Sequence, residues 1–255
     1  MARKILLIVE GDADEVKFLR DLFKKCNKTT EYKIYSYRTN IHILAQELFK
    51  NYNDFDDGNI DIKLILASLE DDKKRKEILY ESYSDIYMIF DFEPQHDHPH
   101  FDTIKRMIAY FNDSTTQGKL FLNYPMMQSY KHFKQLPSPS FEQLEVTLDE
   151  INNYKEIVGK YSEFTDLSKY SYCTYYSIAV HHLKKANKII NKVYEIPNLE
   201  EYLEYDFCFI YDSEVELFTE RKIISVLNTC IFALIDFAPE KFFNFIKQHR
   251  SELLI

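Results

Sequence analysis

From Ile5 to Val9 the chain is an unbroken apolar run, and it stops abruptly on Glu10, Gly11, Asp12, Ala13, Asp14 and Glu15. So short a continuous run predicts a strand covered on both faces, as in parallel sheets. The period then changes. Val16, Leu19, Leu22, Phe23 and Cys26 recur at helical spacing, so strand, tight turn and amphipathic helix are expected in direct succession. The same form returns from Asp85 to Pro94, where Ile86 to Phe90 lead into Asp91 and Glu93. Two residues apart, these acids share one side of an extended chain, and Pro94 helps to end the strand.

Between and after these stretches, Tyr32 to Tyr37 reads as a strand and Ile41 to Tyr52 as a helix with Asn40 at its N-cap. Asn53 to Asn59 is a turn signal, Ile60 to Ala67 (with Ile62 at its heart) a further strand, and Asp71 to Ser82 a charged helix. Phe101 to Phe111 follows as a helix and Leu120 to Asn123 as a short strand. Strands alternating with helices predict an α/β fold, a mostly parallel sheet flanked by helices. Two prolines and two serines at Leu136 to Ser140 interrupt the pattern. A domain of residues 1–136 and a mainly helical C-terminal region of residues 141–255 are therefore expected. Phe141 to Tyr161, Cys173 to Asn191, Arg221 to Phe237 and Pro239 to Arg250 read as its helices. Asp206 to Tyr211 reads as a lone strand or buried loop. Ile223 to Phe237 is apolar nearly all round, so it is expected at the centre of this region or against a partner.

Composition narrows the function classes. At 255 residues and 45% hydrophobic content, the chain can build one large or two modest cores. Four glycines argue against a Gly-rich phosphate loop. With 20 Tyr, 20 Phe and no Trp, tightly packed helices with tyrosines at an interface are expected, which leaves a homo-oligomer open. A net charge of −9 sets the chain against unaided nucleic-acid binding, so a local basic patch or a partner would have to supply the grip. The densest basic run, Lys73 to Lys76, and the His181, His182, Lys184, Lys185 group both read as solvated faces. Cys26, Cys173, Cys208 and Cys230 have neither zinc-site nor disulfide spacing, and reduced thiols are expected. Ile223 to Phe237 is shorter than the roughly 20 residues that span a bilayer, and the N-terminus lacks a signal-peptide layout. A cytoplasmic protein with no membrane contact is expected.

If the two acid-ended strands are neighbours, Glu10, Asp14, Asp91 and Glu93 converge at one end of the sheet. Like charges so close repel unless a cation lies among them, and Mg²⁺ prefers such hard oxygen ligands. Gly11 permits a close approach that a side chain would obstruct. Asp12, Asp14 and Glu15 have a plainer role at hand, since acids favour the N-terminus of the following helix. Glu10 and Asp91, which directly end apolar strands, are not required by packing.

Val9 to Asp14, a strand-end Glu-Gly with an acid four residues after the Glu, resembles the first motif of the Toprim domain. Asp91-Phe92-Glu93 is similar to that family's second motif, with Glu93 where Asp is usual. A long insertion containing the Ile62 to Ala67 segment also separates the motifs. The resemblance covers roughly the first half of the chain and is nearest to the overcoming-lysogenization-defect nucleases of phage defence. It implies a Toprim-like, Rossmann-like domain and Mg²⁺-dependent cleavage of DNA or RNA, with Mn²⁺ able to substitute and a separate ATPase as partner. Asp91 and Glu93 would hold the metal with Asp14, and Glu10 would bind it or act as general acid or base. His96 and His98, in the loop ending at His100, and Gln128 and Lys131, after the Leu120 to Asn123 strand, are candidate substrate contacts. Two rivals stand beside this reading. One is a receiver-like signalling module phosphorylated on Asp91, opposed by the long gap from Asp14 and by Lys119 beginning its strand instead of ending it. The other is a non-catalytic, Toprim-derived interaction protein.

Overall fold

The computed structural model describes residues 3–27, 30–51, 60–251 and 253. The turn expected at Asn53 to Asn59 and the last expected helical residue, Tyr52, lie outside them. The chain forms two compact units, Met1–Phe23 with Asn27–Phe121, and Lys24–Cys26 with Leu122–Ile255. The division falls ahead of the Leu136 to Ser140 stretch where sequence pattern put it.

The first unit runs β1 (Lys4–Val9), α1 (Asp14–Cys26), β2 (Glu31–Ser36), α2 (Ile41–Asn51), α3 (Ile62–Leu69), α4 (Lys73–Tyr80), β3 (Asp85–Asp91), α5 (Phe101–Tyr110), β4 (Asn112–Asp113) and β5 (Gly118–Asn123). It is an α/β fold whose sheet has the order β2-β1-β3-β5-β4. β1 lies parallel to both β2 and β3, while β4 and β5 are antiparallel. This architecture is compatible with a Rossmann-like fold. Ile5 to Val9 are wholly inaccessible and every residue of β3 is buried, which is why both read as near-continuous apolar runs.

Within the first unit one expected strand is a helix. Ile62 to Ala67 is the body of helix α3, started by Asp61, whose side chain accepts from the Lys63 and Leu64 N–H groups. A short apolar run fits a buried strand or a buried helix face equally by periodicity, and here the cap decides. The basic run is not wholly a solvated face either: Arg75 of α4 pairs with Glu70, Nε to Oε2 2.7 Å, and donates to the Ser36 carbonyl.

The second unit continues with β6 (Glu145–Thr147), α6 (Leu148–Asn152), α7 (Tyr154–Tyr161), α8 (Tyr172–Asn191), α9 (Leu199–Leu203), α10 (Phe207–Arg221), β7 (Ile223–Ser225), α11 (Ala233–Asp236) and α12 (Pro239–Gln248). It is mainly helical, with β6 and β7 paired antiparallel. Phe141 to Tyr161 is therefore not one helix, and Asp206 to Tyr211 is neither strand nor loop but the start of α10, capped by Asp206. Ile223 to Phe237 is broken into β7, a tight turn at Cys230–Phe232 and α11. Its polar residues cause the break by bonding backbone: Asn228 Oδ1 accepts from the Ile231 N–H at 3.1 Å, and Thr229 Oγ1 donates to the Leu122 carbonyl at 2.6 Å.

Helix α8 starts on a capping box, Ser171 with Thr174, and is the core of this unit. His181, His182 and Lys185 are buried in it instead of facing solvent, and Lys184 is half-buried. Each buried polar group has work to do. His181 Nε2 accepts from the Ser138 N–H at 3.0 Å, His182 Nδ1 from the Asn228 N–H at 2.9 Å, and Lys185 donates to the Phe141 and Leu144 carbonyls. The four cysteines are free thiols, with Cys230 buried and the others half-buried. Among the described residues no helix is long and apolar enough to cross a membrane.

Candidate active site at the ends of two parallel strands

β1 is followed in the sheet by β2 on one side and β3 on the other, so the chain's direction of travel across the sheet reverses at the β1–β3 seam. Crevices beyond the carboxyl ends of strands at such a reversal are where open α/β sheets bind ligands. The register pairs Val9 with Ile89, so Glu10 and Asp91 emerge side by side there. Glu10 is locked on both flanks: its N–H donates to the Ile89 carbonyl at 3.2 Å and its carbonyl accepts from the Arg38 N–H at 2.8 Å. Its carboxylate turns inward, Oε2 accepting from the Asp91 N–H at 3.0 Å.

Burial of that carboxyl is the main force raising its pKa, to about 10, with the charges of Asp91, Glu93 and Glu15 adding to the shift and the Asp91 N–H opposing it. Glu10 therefore sits among like charges. Asp91 is buried and Glu93 half-buried, and Glu93 has a left-handed backbone at φ 42°. A non-glycine residue takes that conformation only where surroundings impose it.

Two residues of this region were not singled out by sequence pattern. The first is Glu15. Asp14 is exposed at the start of α1, whereas Glu15 is buried and folds back under Gly11, where a Cβ would lie 2.6 Å from its Oε2. The glycine thus makes room for a carboxylate of its own helix. Glu15 keeps helical register with Phe18, Leu19, Leu22 and Phe23, the buried face of α1, and that periodicity was the available signal. The second is His42, wholly buried on α2. Its Nδ1 accepts from the His100 N–H at 3.2 Å, which leaves Nε2 as the protonated nitrogen that donates to the Glu93 carbonyl at 3.0 Å. Burial lowers its pKa to about 4 and so keeps the ring neutral, as this two-sided bonding requires. The ring clasps both ends of the loop from Glu93 to His100.

His96 belongs to that loop, its ring stacked on His42 with centroids 4.7 Å apart and its Nδ1 accepting from the His98 N–H at 3.2 Å. No model of a known family, no curated protein and no solved structure matches the chain. Gln128 and Lys131 lie on a tight turn, Met127–Lys131, of the second unit, where Gln128 is buried and Lys131 half-buried.

The donors at the strand ends are hard carboxylate oxygens, the kind a small dication selects over imidazole or thiolate. Their mutual repulsion would turn to attraction around such an ion. As they stand, no three potential ligands among the described residues are gathered about one point. The residues fit Mg²⁺ in chemical kind.

Proposed function

We propose that the chain is a Mg²⁺-dependent nuclease of the Toprim type that cleaves phosphodiester bonds in DNA or RNA. The observation that carries this reading is the Glu10 carboxylate seated on the Asp91 N–H, 3.0 Å away, at the seam of two parallel strands. Asp91 and Glu93 would hold the metal with Asp14 or the inward-facing Glu15, and a bound metal would stabilise charge on the reacting phosphate and lower the pKa of a water. Glu10 is held to one orientation by its bond to the neighbouring strand, as a general acid or base needs. His42 fixes the carbonyl of Glu93 and so its direction of approach. With a net charge of −9, affinity for a polyanion would come from a partner, and a separate ATPase in a phage-defence assembly fits that need.

Glu10→Gln keeps an acceptor for the Asp91 N–H while removing the group that could give or take a proton or ionise beside a metal. The variant is expected to stay folded and to lose Mg²⁺-dependent cleavage of plasmid DNA and tRNA by roughly a hundredfold or more. Undiminished cleavage by this variant would end the assignment. Glu93 in place of the usual Asp, and Asp14 exposed at the start of α1, favour one second reading, a non-catalytic interaction protein that retains the acid rim without using it.

A further inference from the structure

The second unit contains a cavity of about 540 Å³ bounded by the last turns of α8, the Tyr194 to Leu199 segment and α12. That volume suits a small organic molecule. Its walls divide by chemistry. Phe243 and Ile246, both buried on α12, and the Tyr194 ring supply an apolar floor, while Lys184, Lys247 and Arg250 bring three cations against the single carboxylate of Glu195. In a chain of net charge −9, a local excess of two positive charges over an aromatic floor is not what average composition gives.

Lys184 is held in place, its Nζ 4.6 Å from the centre of the Tyr194 ring. Such a cation is attracted to the aromatic face while the stem lies along the wall. Among the described residues none of the three cations is in an ion pair. The Tyr194 hydroxyl is covered and likewise finds no hydrogen-bond partner among the described residues.

We propose that this cavity binds a small organic phosphate carrying a flat ring, the ring on Phe243 and Ile246 and the phosphate among Lys184, Lys247 and Arg250. Phosphate is favoured over a lone carboxylate because three cations from separate turns can divide among its three oxygens. The ring is required because inorganic phosphate would leave the apolar floor uncovered.

Calorimetric titration of the full chain in EDTA, which silences any metal at the carboxylate rim, would test this with phenyl phosphate, adenosine monophosphate, inorganic phosphate and phenol. Phenyl phosphate or adenosine monophosphate is expected to bind at least tenfold more tightly than inorganic phosphate or phenol. The Lys184→Gln/Lys247→Gln variant, changed only at residues outside the buried core, is expected to lose at least tenfold of that affinity. No binding of either ring phosphate at millimolar concentration, equal binding of inorganic phosphate, or unchanged binding by the double variant would each overturn the proposal. None of these outcomes bears on the nuclease reading, which rests on the first unit.

Discussion

Glu10 in the first unit and Glu214 in the second are both covered carboxyls, and in both burial is the main cause of a raised pKa. Their neighbours differ in sign. Glu214 is held near 7 because the Ser225 N–H, 2.9 Å from its Oε2, and the Lys185 ammonium work against burial. Lys185 is depressed to about 7 by its own burial, with Glu214 opposing, and it donates to two backbone carbonyls. Glu10 instead meets Asp91, Glu93 and Glu15. A buried acid and base of opposite charge, each hydrogen-bonded to backbone, are what folding alone produces, whereas acids gathered at a strand-end rim are a cost that packing does not require. The opposite end of β3 sharpens this: Asp85, wholly buried, is matched by Arg3, Nε to Oδ2 3.1 Å.

The largest effect is expected on the matched side. Lys185→Met strands the Phe141 and Leu144 carbonyls and removes the cation that opposes the burial of Glu214, and should cost about 3 kcal/mol in urea unfolding. A variant as stable as the parent would mean that Lys185 is not what balances this core. On the acidic side, His42→Ala strands the Glu93 carbonyl and the His100 N–H. The expected loss is about 2 kcal/mol; on the proposed nuclease reading, cleavage falls further than substrate binding because the Glu93 loop loses its anchor. Equal falls in kcat and in affinity would assign His42 a purely structural part.

The smallest of these effects is a pH slope. Burial lowers His132 of the second unit to about 4, and the ring meets the Tyr154 hydroxyl at 3.0 Å. Between the ordinary histidine value and 4 the unfolded chain takes up a proton that the folded one refuses. This contribution is therefore complete above about pH 6.5, falls as pH drops through that window and levels off below about 4. His132→Gln should flatten the acid limb of a stability–pH curve by about 1 kcal/mol at about pH 5.5. An unchanged limb would remove His132 from the acid response.

How much of this could be read along the chain depends on how local each cause is. β1, α1 and β3 were legible because continuous apolar runs and helical spacing act within a few residues, and the rim of Glu10 and Asp91 followed once both runs ended on acids. α3 was not legible as a helix, since the deciding cap at Asp61 lies at the edge of an ambiguous apolar run. The Ile223 to Phe237 stretch misled for a different reason. Asn228 and Thr229 bond partners distant in sequence, and an apolar average carries no trace of those bonds. Lys185 and His182 read as surface because charge and imidazole usually are. Their burial is made tolerable by partners distant in sequence, the Phe141 and Leu144 carbonyls and the Glu214 charge for Lys185 and the Asn228 N–H for His182.

The central claim is that the acids at the β1–β3 seam are assembled to share a dication. Titration of the full chain with Mn²⁺, read by the ion's own magnetic resonance signal, tests this directly. Saturable binding that weakens at least tenfold in Asp91→Asn and in Glu10→Gln, but not in Glu214→Gln, is the expected result. A folded chain that takes up no Mn²⁺ at millimolar concentration, or that binds it equally well without Asp91 and Glu10, would contradict it.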